Sequence, residues 1–256
     1  MGKLRHIAFI SREPKKLSDF YQNFFGLEEV RVFPSGSRMV IDGLFNLAFL
    51  QQRGQAAVVG THRADGSEAD QTQGIAHYGF MVDNLDEAVS KLPPSLKRGD
   101  SPQVSAGVAG PEAARPAEVR FIDPWGNNVD LSSRGFLGRE EKRLPGVRLV
   151  TVQVANPDDA CEFYKTQFDL EVVRRDPDGS ILLSDGIVSL MLTRTQVLPK
   201  NGIQYFGIQV NDLSSVKRRL RESGVEVFPV EGTQDQIRIS DPEGNQVVIA
   251  ENGWAR

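Results

Sequence analysis

The chain repeats itself, and the repeat limits its fold to something built twice from one plan. Residues 5–30 (RHIAFISREPKKLSDFYQNFFGLEEV) align without a gap with residues 148–173 (RLVTVQVANPDDACEFYKTQFDLEVV), an offset of 143 that pairs Phe20 and Tyr21 with Phe163 and Tyr164. The same offset carries Asp42 and Gly43 onto Asp185 and Gly186. Further along, GIAHYGFMVDNLDEA (74–88) matches GIQYFGIQVNDLSSV (202–216) at an offset of 128, and FIDPWGNNVDL matches ISDPEGNQVVI at 118. Order is kept throughout, so the chain is two copies of one unit rather than a mosaic.

Each copy divides again. LRHIAFI and IAHYGFMV are apolar over strand length, whereas PKKLSDFYQNFF and NLDEAVSKL carry apolar residues at helical spacing. Short extended stretches such as EEVRVF, SRMVID and NLAFLQ follow, separated by Gly, Asp and Ser turns. The pattern predicts an α+β chain of four βαβββ modules. DPWGN and DPEGN, with Pro second and Gly fourth, suit type I turns before the last strands of modules 2 and 4. The polar stretch 132–146, SSRGFLGREEKRLPG, lies between the copies and reads as a linker or as one more surface helix. With the linker at 134–146, one module pair spans 1–133 and the other 147–256.

Bulk properties exclude several classes. A formal charge of −4 without a basic block gives no footprint for nucleic acid. No apolar run approaches the roughly 18 residues needed to cross a bilayer, and MGKLRHIAFISREPKK has no signal-peptide pattern, so a cytoplasmic location is expected. The single cysteine, Cys161, lies in helical DDACEFY and reads as packing.

Four βαβββ units, FY-x-x-x-F/L-G/D-L in the first of each pair and DP-x-G-N in the second, resemble the vicinal oxygen chelate superfamily of glyoxalase I, bleomycin-resistance proteins and extradiol dioxygenases. The resemblance covers nearly the whole chain. It implies that paired modules curl into two open β-cups, with a divalent metal held from the first strand of each module and the last strand of the second. Carried onto this sequence, the implied ligands are His6, His77 and Asp130, the last replacing the family's usual Glu. Two imidazoles and a carboxylate form the facial set that leaves positions open on non-haem Fe(II); Mn, Zn or Ni could take the same donors. The isolated residues read differently: a strand histidine is ordinarily a hydrogen-bonded core residue, and Asp130 alone could be a solvated edge carboxylate.

The C-terminal counterparts are Leu149, Tyr205 and Val248, so modules 3 and 4 are expected to be metal-free. The N-terminal copy also carries longer loops, 51–74 and 97–118, which read as lids or as tolerated insertions. His62 in the first of these could act as an acid–base group if the loop closes, or lie on the surface. Tyr78 should point away from its neighbour His77 and serve packing, and neither Trp125 nor Phe136 is given a role.

Three activities stay open. Glyoxalase-type isomerases, lyases and epimerases resemble this chain but place a further Glu or Gln on the last strand of module 1, where Ala48 stands. Extradiol dioxygenases use three ligands, which favours a ring-cleaving oxidoreductase acting on a catechol-type small molecule. A drug-binding protein without metal chemistry is the third reading. The expected partner is a small-molecule substrate, not nucleic acid or membrane, and the chain could be a monomer or a homodimer.

Overall fold

The computed structural model describes residues 1–52, 74–96, 98–100, 119–196 and 202–254. Module 1 comprises β1 (Gly2–Ser11), α1 (Pro14–Phe25), β2 (Glu28–Val32), β3 (Arg38–Ile41) and β4 (Asn46–Gln51). Module 2 follows with β5 (Gly74–Val82), α2 (Leu85–Lys91), β6 (Arg98–Asp100), β7 (Val119–Ile122) and β8 (Asn128–Ser132). Module 3 is β9 (Gly146–Val154), α3 (Pro157–Phe168), β10 (Glu171–Arg175), β11 (Ile181–Ser184) and β12 (Ser189–Arg194). Module 4 is β13 (Ile203–Gln209), α4 (Leu213–Glu222), β14 (Phe228–Pro229), β15 (Gln236–Ser240) and β16 (Gln246–Ala250). The βαβββ pattern thus appears four times, as the repeat predicts. No described helix is long and apolar enough to cross a membrane.

Local chemistry explains the helix ends. α1 and α3 both begin at a proline, whose fixed φ suits the first turn and whose missing N–H costs nothing there. α1 ends on Gly26 in the left-handed region (φ 66°), and the matching position after α3 is Asp169 at φ 60°, a short polar side chain among the few that tolerate it.

Two eight-stranded open sheets result, β2-β3-β4-β1-β5-β8-β7-β6 and β10-β11-β12-β9-β13-β16-β15-β14. In each, the two modules join through their first strands, β1 antiparallel to β5 and β9 antiparallel to β13. The last strand of each module lies parallel to its first, which brings β4 beside β1 and β8 beside β5. Register is the same in both copies: His6 is level with Asn46 as Leu149 is with Ser189, and Gly79 with Asp130 as Gly207 is with Val248.

Strand alternation gives each sheet two unlike faces. One face of both sheets meets the helices in a single core, in which Phe9, Tyr21, Phe49 and Phe80 pack with Phe168 and Phe206 from the other half. Cys161 is buried in that core, and so is Tyr78, whose hydroxyl contacts Tyr164 and Asp123. The opposite faces carry small separate clusters, Ala8, Met39 and Ala48 in the N-terminal half and Leu149, Leu182, Met191, Val248, Ala250 and Trp254 in the C-terminal half.

Polar contacts across the halves are reciprocal. Arg5 Nη1 donates to Asp185 Oδ2 at 2.6 Å, and Arg148 Nη1 donates to Asp42 Oδ2 at 2.9 Å. Tyr21 donates its hydroxyl to Asp241 at 2.8 Å, and Tyr164 donates to Asp123 at 2.5 Å. Asp123 and Asp241 open the two DP turns: each folds the turn by accepting backbone N–H groups through Oδ1 and turns Oδ2 to the other half's tyrosine. The pairs lie at equivalent repeat positions, so the halves dock as two subunits of a twofold dimer would.

Residues between β8 and β9 do not simply span a gap. The N–H groups of Arg139 and Glu141 donate to Gly43 O at 2.8 and 3.2 Å, Arg139 pairs with Glu28 at 2.7 Å, and Glu140 lies 3.6 Å from both Lys3 and Arg5. This stretch is packed along the N-terminal sheet.

Asp185→Ala removes a buried carboxylate that satisfies the Arg5 guanidinium and the Leu4 N–H. Urea unfolding of this variant should show a loss of about 3–5 kcal/mol, the range for an orphaned buried charge; a loss under about 1 kcal/mol would show that the cross-half pair contributes little.

Candidate metal centre

His6, His77 and Asp130 come from β1, β5 and β8, three adjacent strands, and all three side chains face away from the shared core. They are 3, 5 and 1% exposed, and their donor atoms lie within 4.8 Å of one another. His6 Nε2 is 3.4 Å from His77 Nε2, and His77 Nε2 is 3.3 Å from Asp130 Oδ2. Bonds of about 2.1 Å to one ion put neighbouring donors roughly 3 Å apart, so the cluster has the spacing of a ligand set. The donor chemistry also fits: two imidazoles and one carboxylate suit a divalent transition metal.

The structure supplies an orienting partner for one of the three side chains. Asn46, level with His6 on β4, places Oδ1 2.7 Å from His6 Nδ1 while its Nδ2 donates to Val40 O. An amide oxygen only accepts, so Nδ1 carries the proton and the Nε2 lone pair faces the cluster. Asn128 stands two residues before Asp130 as Asn46 stands two before Ala48, and its buried Oδ1 has no hydrogen-bond partner. Ala48 shares the Ala8–Met39 cluster and offers no donor.

Electrostatics favour neutral imidazoles. Burial, then the neighbouring His77, pushes His6 down to about 3. Burial, then the Arg120 charge, lowers His77 as well. Burial alone would raise the Asp130 carboxyl, but Arg120 and His77 together hold it well below the usual carboxylate range.

Two contacts at this cluster were not expected from the sequence. Arg120 on β7 lies level with Asp130 and grips it as a two-pronged fork, Nε on Oδ1 and Nη2 on Oδ2, the latter at 2.8 Å. The hairpin closed by DPWGN makes 120 and 130 cross-strand neighbours, so counting outward from the turn would have found it. Phe136, given no role above, is 1% exposed and its ring stacks on His6 at 4.6 Å and 3°. Its fit depends on Gly79, where an added Cβ would meet the ring at 2.6 Å; Gly207 accommodates Trp254 in the same way. The Gly- and charge-rich composition around Phe136 carries no signal of burial. Trp125 also has a place, packed edge-on against Phe163 and stacked near Tyr164. His62 and loops 51–74 and 97–118 fall almost wholly outside the described residues, and His62 does entirely.

The model of the Glyoxalase/Bleomycin resistance protein/Dioxygenase superfamily matches residues 3–131 and again 146–249. The chain belongs to this superfamily. Among solved structures it is similar to the 2,3-dioxygenase LapB from Pseudomonas sp. KL28, at 14% identity and TM-score 0.67, covering 99% of this chain and 93% of that one. It is also similar to the Mn(II)-bound glyoxalase from Novosphingobium aromaticivorans, at 12% identity and TM-score 0.70, covering 99% and 84%. A third is 2,2',3-trihydroxybiphenyl 1,2-dioxygenase from Sphingomonas wittichii strain RW1, at 15% identity and TM-score 0.66, covering 100% and 92%. At these identities the likeness carries the superfamily fold and not a reaction. No curated protein matches the chain.

The depressed His6 predicts a pH effect on stability in the metal-free protein. An unfolded chain takes up a proton near 6.5 that folded His6 resists down to about 3. Stability contributed by neutral His6 is therefore present above 6.5 and lost as pH falls through that window, at up to about 1.4 kcal/mol per pH unit. His6→Gln should flatten the stability-versus-pH curve between pH 6.5 and 4 relative to wild type, measured by denaturant unfolding; parallel curves would contradict a buried neutral His6.

Proposed function

We propose that this superfamily member is a divalent-metal-dependent enzyme of extradiol-dioxygenase type, with His6, His77 and Asp130 as ligands of one ion, Fe(II) foremost, and a catechol-like small molecule as substrate. The observation that carries this reading is the convergence, among the described residues, of three donor side chains on adjacent strands while Ala48 leaves the fourth ligand position without a donor. A three-ligand ion keeps open positions for both a substrate and oxygen. When bound, the metal would supply Lewis acidity and, if iron, redox capacity.

The chain's own residues have separable tasks in this reading. Asn46 fixes the His6 ring so that Nε2 stays available. Arg120 keeps Asp130 ionised and fixed in orientation. Phe136 covers one face of His6 and keeps water from it. Ala8, Met39 and Ala48 provide an apolar wall suited to an aromatic ring. In the other half, Leu149, Tyr205 and Val248 occupy the three ligand positions, which supports a site in modules 1 and 2 alone.

An isomerase or lyase of glyoxalase type has less support, because Ala48 cannot carry the proton such chemistry moves. A second reading is favoured by one contact: Arg120 already neutralises Asp130, as it would in a cup that binds a small molecule without metal.

Metal analysis after anaerobic purification separates the two. The enzyme reading expects about one ferrous or manganous ion per chain in wild type, none in His77→Ala, and oxygen uptake with catechols only in wild type. Absence of metal from both proteins after reconstitution with Fe, Mn, Zn or Ni would leave a metal-free binding protein.

A further inference from the structure

We propose that Arg120 makes metal binding at the His6–His77–Asp130 cluster conditional on an anionic oxygen ligand, so that ion and ligand bind as a pair and neutral ligands are disfavoured. This rests on the metal-site reading above and concerns what the ion needs in order to stay.

Charge counting on the observed geometry leads there. Imidazoles ligate a metal in their neutral form, and the single carboxylate is engaged at both oxygens by one guanidinium. Asp130 and Arg120 therefore sum to zero before any ion arrives. A divalent ion added to this buried cluster would keep its two positive charges, with the Arg120 charge a few ångströms beyond. An uncompensated charge in a buried, partly apolar setting is strongly unfavourable. Compensation has to come from elsewhere, and among the described residues no second carboxylate joins the cluster.

Arg120 uses Nε and Nη2 on Asp130, while among the described residues Nη1 has no hydrogen-bond partner. The Arg120 charge beside an incompletely neutralised ion favours an anionic ligand, since the ligand's charge is attracted by both. Ala48 and Ala8 on the same face offer no competing donor. A dianionic ligand with two oxygens would return the cluster to neutrality, whereas an uncharged ligand would not. The C-terminal sheet shows the fork is tied to the carboxylate: Arg238 is level with Val248, has no carboxylate to grip, and instead lies over the Phe228 ring at 6.0 Å.

The test measures Mn(II) binding by the loss of the free-ion electron paramagnetic resonance signal, for wild type, Arg120→Gln and Arg120→Lys, with and without oxalate. A protein-free control corrects for chelation in solution, and circular dichroism confirms that each variant is folded. Wild type should bind Mn(II) weakly alone and at least tenfold more tightly with oxalate. Arg120→Gln should bind Mn(II) alone at least tenfold more tightly than wild type and gain little from oxalate. Arg120→Lys, which keeps the charge without the fork, should behave like wild type; if the glutamine variant fails to fold, the oxalate gain in wild type and in the lysine variant decides. Tight binding to wild type without oxalate, unchanged in the variants, overturns the inference and leaves the metal site standing. No binding in any protein with or without oxalate overturns the metal site itself.

Discussion

Two buried ion pairs, Arg5 with Asp185 and Arg148 with Asp42, fix how the halves of this chain meet. Each carboxylate is saturated. Asp42 takes the Leu44 and Phe45 N–H groups on Oδ1 and the Val147 N–H and Arg148 guanidinium on Oδ2. Asp185 does the same with Ile187, Val188, Leu4 and Arg5. An aspartate thus closes the turn of its own half and anchors the first strand of the other. Because that strand carries His6 one residue from Arg5, the position of the candidate metal centre is tied to the opposite half of the molecule. An apolar replacement would relieve the desolvation of the charges but orphan the backbone donors, which distinguishes these pairs from ion pairs that can be exchanged for hydrophobic packing.

Identical backbones carry different side chains at equivalent points. The positions held by His6, His77 and Asp130 in one sheet hold Leu149, Tyr205 and Val248 in the other, and Asn46 is matched by Ser189. The C-terminal set clusters with Met191 and Trp254 as an apolar filling. Sheet register is set by backbone pairing and by the face turned to the common core, so residues on the outward face could diverge without disturbing the frame. The inward face could not: Tyr21 and Tyr164, and the turn aspartates they bind, are kept in both copies.

The modules and the strand-first order were legible in the sequence because periodicity and recurrence at a fixed offset report backbone position directly, whereas the convergence of His6, His77 and Asp130 was implied only by the resemblance to the superfamily. What accompanies those residues was harder to see. Arg120 follows from hairpin register but looks like any solvent-facing arginine on an alternating strand. Asn46 gains meaning only once β4 is known to lie parallel beside β1, a pairing made across α1 and two further strands. Phe136 sits in a polar, glycine-containing stretch whose composition signals a surface loop; its burial is created by Gly79, 57 positions earlier in the chain. The reciprocal ion pairs were visible as repeated residues, Arg5 with Arg148 and Asp42 with Asp185, but repetition cannot say that each partners the other's copy.

That crossed arrangement sets a schedule for assembly on the ribosome. Arg5 is made 180 positions before its partner. At roughly 5–20 residues per second, about ten to forty seconds separate their synthesis. Over that interval the first strand carries an arginine whose buried counter-charge is missing, with only the half-exposed Glu140 at 3.6 Å to stand in late, and the N-terminal sheet cannot reach its final packing however quickly its own strands pair. The two halves mature together once Asp185 has emerged, which makes the nascent N-terminal half the stage most dependent on protection by chaperones.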